Sequence, residues 1–347
     1  MKFALLTHLP WPEGVDPRRI VECAIEEIQL AEELGFHSAW LTEHHFSRYG
    51  LGSSPMVLVS TMAAHTKTIR LGTAVIIPNL HSPVKVAEET ALVDLVSGGR
   101  LDVGLGRGSA DYEFFAYDVD QNESQERFRE SVGIIKGLWT TQDYSNEGRF
   151  YNVRHANLVP QPVQKPHPPI YIAATRTPAT LEFAVSGGHP ILMGPTIDTA
   201  TALEWCHGYE TMSLQAGQTE PMSRIPFFRY CYVAETEEQA REDTKAALRW
   251  SLDMIEWRKT FKEGGEVNHR IEDWRKSRTS TPESLDHVYE KRAVIGTPEQ
   301  CVAKIKELRE HGIEYFGCNF AYGGMDHAKL MRSMELFAKE VMPHFVN

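Results

Sequence analysis

The 347-residue sequence contains no CxxC pair, no run of lysine or arginine, and no apolar stretch of membrane-spanning length. Each absence removes a class of function. The five cysteines (Cys23, Cys206, Cys231, Cys301 and Cys318) are scattered and odd in number. That fits a reducing cytoplasm and argues against a zinc site. Acidic residues outnumber basic ones, 47 to 36, so the basic stripe that nucleic acid or an anionic membrane would need is missing. The apolar run Phe3–Leu6 meets Pro10 and Pro12 too soon for a signal peptide and reads as a strand. After it comes Thr7-His8-Leu9-Pro10 rather than a glycine-rich turn, which excludes a dinucleotide-binding fingerprint. No fixed-period repeat and no inter-domain linker is visible. A cytoplasmic protein with neither nucleic acid nor membrane as partner is expected.

What is present is alternation. Short β-branched or aromatic runs alternate with longer amphipathic stretches. The runs are Phe3–Leu6, Ser38–Leu41, Ile69–Ile77, Leu101–Leu105, Ile170–Ala174, Pro190–Met193, Phe227–Val233 and Tyr315–Phe320. Helices are expected over 17–34, 56–66, 124–139, 198–216, 236–262 and 327–342, and from Pro83, Pro178 and Pro298 onward. Val21, Ala24, Ile25 and Ile28 mark one face of the first. Proline opens several of them and Gly98-Gly99 closes one, as the chemistry of helix ends favours. Eight such alternations predict an α/β fold, a TIM (β/α)8 barrel. Residues 1–347 are expected to form one domain. The polar, proline-rich stretch 140–168 predicts a small hairpin insertion near Phe150–Leu158. The charged stretch 263–293, with Gly264-Gly265 and no clear period, predicts a mobile lid insertion.

In such a barrel the chemistry lies at the C-terminal ends of the strands. After the second strand comes Glu43-His44-His45-Phe46. Neighbouring side chains on a strand point to opposite sides, so the two histidines are poor joint ligands for one metal, and no metal is expected. A neutral histidine there could move a proton near neutral pH; equally, both could be polar loop residues. After the fourth strand, Gly106 and Gly108 flank Arg107, whose fork matches a phosphate or a structural carboxylate. After the fifth come Ala174, Arg176, Thr177, Pro178 and Thr180. Thr177 and Pro178 suit a helix start, whose free amides either bind an anion or need only capping. Two phosphate-type features at neighbouring strand ends favour a ligand. The third strand end, Gly72 to Asn79, is apolar and could floor a planar ring or be an ordinary buried strand.

These residues carry a resemblance. Leu41 to Phe46, Gly72-Thr73-Ala74, Ser97 to Arg100, Gly106-Arg107-Gly108, Gly296 to Cys301 and the Val341-Met342-Pro343 ending resemble the bacterial luciferase-like flavin-dependent monooxygenases. The pattern is most like the luciferase α subunit, an alkanal monooxygenase. The resemblance implies a reduced-FMN- and O2-dependent monooxygenase acting through a C4a-hydroperoxide on a small aldehyde or other apolar or aromatic compound. It implies a separate NAD(P)H:flavin reductase as partner and a homodimer. His44 takes the place of the catalytic histidine, and Glu43 lies beside the flavin. The Ala74–Val75 bond matches a non-proline cis peptide beneath the ring. Arg107 matches the phosphate arginine; Gly106, Gly108, Ala174, Arg176, Thr177 and Thr180 fall on the cofactor-binding turns; Met193, Gly194 and Pro195 fall near the ring. Gly106, Ala110 and Gly194-Pro195 depart from the luciferase pattern and reshape the pocket. The rival readings are an F420-dependent hydride-transfer enzyme on the same fold, a non-catalytic flavin-binding subunit and a metal-dependent hydrolase.

Overall fold

The computed structural model describes residues 1–174, 177–261 and 269–345. Its strands are β1 (Lys2–Thr7), β2 (Ser38–Leu41), β3 (Arg70–Thr73), β4 (Leu101–Leu105), β5 (Tyr144–Glu147), β6 (Asn152–Ala156), β7 (Ile170–Ala173), β8 (Ile191–Leu192), β9 (Phe227–Val233), β10 (Ala293–Gly296) and β11 (Tyr315–Ala321). β5 and β6 pair as the antiparallel hairpin. The other nine form one curled parallel sheet in the order β10-β9-β11-β1-β2-β3-β4-β7-β8. At its far end the Met193 amide donates to the Pro226 carbonyl at 3.0 Å, and the Met193 carbonyl accepts from the Phe228 amide at 2.8 Å.

The helices are α1 (Pro17–Glu33), α2 (Pro55–His65), α3 (Pro83–Val96), α4 (Asp111–Ala116), α5 (Ser124–Thr140), α6 (Pro178–Ser186), α7 (Thr199–Gln215), α8 (Glu237–Arg258), α9 (Ile271–Ser277), α10 (Leu285–Lys291), α11 (Pro298–Glu310) and α12 (His327–Leu336). Proline occupies the first turn of α1, α2, α3, α6 and α11, where its fixed φ helps and its missing N–H costs nothing. α11 adds a capping box between Thr297 and Gln300. None of the helices is long and apolar enough to cross a membrane, among the described residues.

Alternation along each strand sorts side chains into two layers. Phe3 and Leu5 of β1 join the large cluster that packs the sheet against Ala24, Ile28 and Ala31 of α1. Ala4 and Leu6 face the other way and meet Trp40, Leu192, Phe228 and Tyr315 inside the curl. Burying residues of this size contributes roughly 1.5–3 kcal/mol each before entropy is subtracted.

Two expectations need correction. The parallel sheet has nine strands, not eight, because Ala293–Gly296 pairs with Tyr230–Val233; four residues at the end of a charged stretch give no visible period. The third strand is shorter than Ile69–Ile77: it stops at Thr73, and pairing with β4 resumes only at a bridge between Ile76 and Leu105. The short helix α4 was unforeseen. In the stretch 263–293, residues 263–268 lie outside the described residues. The remainder holds α9 and α10, seven residues each, too short for a helical period to show. α9 is tied to α8 by Arg275, 2.7 Å from Asp253, while Arg278 beyond its end lies 2.8 Å from the same carboxylate.

Candidate active site

The buried centre of the site is a carboxylate. Glu43 follows β2 and is 2% exposed. Its Oε1 accepts from His45 Nε2 at 2.8 Å and from His81 Nε2 at 2.7 Å, and its Oε2 accepts from the Ile77 amide at 2.9 Å. Burial alone would raise its pKa, but the histidine hydrogen bonds and charges outweigh it and hold Glu43 below the ordinary carboxylate value. Burial likewise opposes the charge of His81, yet the bond to Glu43 leaves that histidine above its usual value. The ionised Glu43 can only accept, so His45 Nε2 carries a proton facing it; His45 Nδ1 lies 3.2 Å from the Tyr117 hydroxyl. Among the described residues, Glu43, His45 and His81 are the one group whose donor atoms lie close enough together, within 4.8 Å, to suggest a metal. Here the two nitrogens sit at hydrogen-bond distance from a shared oxygen. The strand alternation argument about adjacent histidines missed this trio, because His81 comes from beyond the third strand.

His44 points elsewhere. Its ring meets Tyr49 edge to face at 4.6 Å and lies 5.9 Å from the His8 ring. Its Nδ1 is 3.8 Å from Glu113 Oε1 on α4 and makes no hydrogen bond; the attraction acts through space. Burial, with Arg258 adding to it, pushes His44 below the usual imidazole value against the pull of Glu113. The same burial, with His44 and Arg258 as neighbours, takes His8 down to about 3. His44 is therefore a neutral imidazole at neutral pH, with one nitrogen unused. The Arg258 guanidinium lies 4.4 Å over the Tyr49 ring. Tyr49, Tyr112, Trp250, Trp257 and Phe261 form an apolar wall beside these groups, drawn from α4, α8 and the loop after β2.

The third and fourth strand ends form a floor. The Ala74–Val75 peptide is cis, as the resemblance implies. A Cβ on Gly106 would stand 2.4 Å from Val75 Cγ2 and 3.5 Å from Ala173 Cβ, so Gly106 brings β3, β4 and β7 into contact. Arg107 Nη1 donates to Ser124 Oγ at 3.0 Å, and Asn79 holds the Arg107 carbonyl at 2.7 Å. No carboxylate pairs with Arg107 among the described residues. Thr177 caps α6 without any side-chain hydrogen bond; Pro178 has no N–H and the Thr180 amide donates to the Thr177 carbonyl at 2.9 Å, which leaves the Thr177 hydroxyl and the Ala179 amide for another partner. Thr180 and Ala174 are buried nearby in sequence. Arg176 lies outside the described residues. Gly194 is open: an added Cβ would meet nothing within 4 Å. Met193, by contrast, is fully buried in the large apolar cluster, so its side chain is not brought to the mouth. His81, Glu113, Tyr49, His8 and Arg258 went unrecognised in the sequence; His8, directly after β1, and His81, beyond the third strand end, carried a positional signal.

With this geometry in place the likeness to known proteins is informative. Residues 3–315 match the luciferase-like monooxygenase family. The chain belongs to that family. The oxygenase component of a flavin-dependent trigonelline monooxygenase from Acinetobacter baylyi is 30% identical, over 99% of this chain and 96% of that one. The alkanal monooxygenase alpha chain of the Kryptophanaron alfredi symbiont is 26% identical, over 99% and 98%. Monooxygenase RslO1 from Streptomyces bottropensis superposes with a TM-score of 0.87 at 29% identity, covering all of both chains. Two remoter neighbours share the fold. The oxygenating constituent of 3,6-diketocamphane monooxygenase from Pseudomonas putida, in complex with FMN, gives 0.83 at 19% identity over 100% and 99%. An F420-dependent secondary alcohol dehydrogenase gives 0.76 at 19% over 100% and 99%. Luciferase-like folds therefore accommodate both cofactors.

Proposed function

We propose that this chain is the oxygenase component of a two-component monooxygenase. It takes reduced FMN from a separate NAD(P)H:flavin reductase and uses O2 to oxygenate a small apolar or aromatic compound. The observation that carries this reading is a cluster of donors at the ends of the adjacent strands β4 and β7: Arg107, which spends one N–H on Ser124 and pairs with no carboxylate among the described residues, and the start of α6 with its Thr177 hydroxyl and Ala179 amide. A phosphate dianion suits that set, since it offers only acceptors. The floor of Val75 and Gly106 and the open Gly194 suit a flat ring above it.

FMN, when bound there, supplies the electrons and activates the oxygen. The chain's own residues do the rest. Arg107 and the start of α6 grip the tail. Glu43, fixed by three donors, holds the loop after β3 in place through the Ile77 amide. His44, neutral and unused, accepts or returns a proton at the reacting face. The aromatic wall of Tyr49, Tyr112 and Trp250 excludes water and offers apolar contact to substrate. In this reading the Met193–Phe228 contacts close the sheet into a barrel, and 263–293 acts as a lid over residues 1–347 as one domain. Val57, Leu92 and Val96, exposed on α2 and α3, supply the face of a homodimer.

The test is an anaerobic titration of the protein with photoreduced FMN and, separately, with reduced F420, followed by admission of air. Tight binding of FMN, and oxygen-dependent product formation from it, is expected. Preference for F420 with turnover in the absence of oxygen would overturn the proposal.

A further inference from the structure

Two cavities adjoin behind His8. The larger lies between α1, α12 and the ends of β1 and β11; Thr7, Glu27, Tyr322 and His327 are among its mostly apolar lining residues. The smaller is lined by His8, Tyr49, Tyr230, Trp250 and Tyr322 among others. Pro10 and Tyr322 belong to both walls and so link the first cavity to the one beside His8, whose ring neighbours His44.

Several polar atoms along this route have no hydrogen-bond partner. Glu27 is 4% exposed and Tyr322 2%, yet Glu27 Oε2 and the Tyr322 hydroxyl have no hydrogen-bond partner, and neither does His327 Nδ1. His327 Nδ1 lies 3.3 Å from Glu27 Oε1, and His327 Nε2 is 2.7 Å from Glu26 Oε2, whose side chain is 44% exposed to solvent. Buried polar groups rarely stay unsatisfied, and single ordered waters bonded to such groups in otherwise apolar cavities satisfy them. A carboxyl, a phenol and an imidazole can each accept a proton on one side and release one on the other.

We propose that these cavities hold a water-filled proton path from the surface at Glu26 and His327, through Glu27 and Tyr322, to His8 and His44. Each hop forms one O–H or N–H bond and breaks one. The net change is a single proton moved between bulk water and His44, with no electron transferred. The proposal rests on the flavin reading above, because a rear path matters once a cofactor covers the front of His44. Cys23 also lines the larger cavity, but burial pushes its thiol up to about 11, so it takes no part.

Two measurements test the path. A high-resolution crystal structure of the wild-type protein should show ordered water bonded to Glu27 Oε2 and to the Tyr322 hydroxyl; dry cavities would overturn the proposal whether or not FMN binds. Second, proton uptake after mixing the FMN-loaded, reduced protein with oxygen is followed with an indicator dye, in H2O and D2O. Tyr322→Phe and Glu27→Gln should each slow uptake by about tenfold to a hundredfold and enlarge the solvent isotope effect. Glu27→Asp should restore most of the rate, and FMN affinity should be unchanged throughout. The double variant should be no slower than the slower single, as expected of groups in series. Unchanged uptake in Tyr322→Phe with FMN bound would refute the path and leave the flavin reading intact. Failure of FMN to bind would refute the flavin reading and leave the crystallographic water to decide the path.

Discussion

Replacing Glu43 by glutamine keeps the shape of the site and removes its central charge. In the native protein the carboxylate serves three donors, the His45 and His81 rings and the Ile77 amide. Hydrogen bonds to a charged group are worth about 1.5–3 kcal/mol each, and breaking a buried ion pair costs about 3–5 kcal/mol. Glutamine still offers one oxygen, so part of this is retained, and a net loss of about 2–4 kcal/mol is expected. For a chain of this length that lowers the melting temperature by about 3–6 °C. The pH dependence is the sharper signature. Glu43 sits below its ordinary value of 4.5, so its contribution is complete above pH 4.5 and is lost as pH falls through the native value. His81 sits above 6.5, so its contribution is complete below pH 6.5 and is lost as pH rises through the native value. The difference between the wild type and Glu43→Gln should be greatest between pH 4.5 and 6.5 and shrink on the alkaline side. Denaturant melts across pH measure this, and the NMR titration of His81 should move to lower pH in the variant. A difference independent of pH, or an unmoved His81, would refute the ion-pair account.

Other substitutions separate binding from chemistry. His44→Ala should bind FMN as the wild type does but form product about 10²–10⁴-fold more slowly; equal product yield per flavin in steady-state assays would remove His44 from the mechanism. Arg107→Ala should weaken FMN binding by about tenfold to a hundredfold, with Arg107→Lys between, as read by fluorescence titration; full affinity in the alanine variant would move the phosphate elsewhere. Gly106→Ala puts a methyl 2.4 Å from Val75 Cγ2 and should cost about 1–3 kcal/mol of stability together with FMN affinity, both measurable by melting with and without flavin. Thr297→Ala removes the α11 capping box and should lower stability by about 1 kcal/mol while leaving flavin binding unchanged, because no residue assigned to the flavin belongs to that cap.

Legibility in the sequence followed local chemistry. Helix starts were readable where proline acts through its own turn, as Pro83, Pro178 and Pro298 do. The strands β1, β2, β4 and β9 were readable because an entire run is buried. β10, α4, α9 and α10 were not, since seven residues or fewer carry no dependable period. The same division holds in the site. Arg107 and Thr177 sit on motifs with their own local logic. Glu43 was visible as a residue, but its partner His81 lies 38 positions away, and Glu113 is brought toward His44 by a helix the sequence did not reveal. Arg258 stands at the end of a 22-residue helix; its effect on His8 and His44 comes from where that helix ends in space.

This difference in legibility matches a difference in task. A phosphate tail is held by short-range donors, and these can be encoded in a turn. Control of a proton is set by the sum of burial and distant charge, and that sum exists only once the sheet has curled. Around Glu43 it is tuned toward charge: three donors converge and the carboxylate stays ionised despite burial. Around His44, the next residue in the same loop, it is tuned toward neutrality: burial and Arg258 prevail over Glu113. Neighbouring residues held in opposite states divide the work between them. The charged one can fix geometry because three donors converge on its two oxygens. The neutral one can exchange a proton because one of its nitrogens is left without a partner. Swapping either condition should cost activity even if every motif in the chain were preserved.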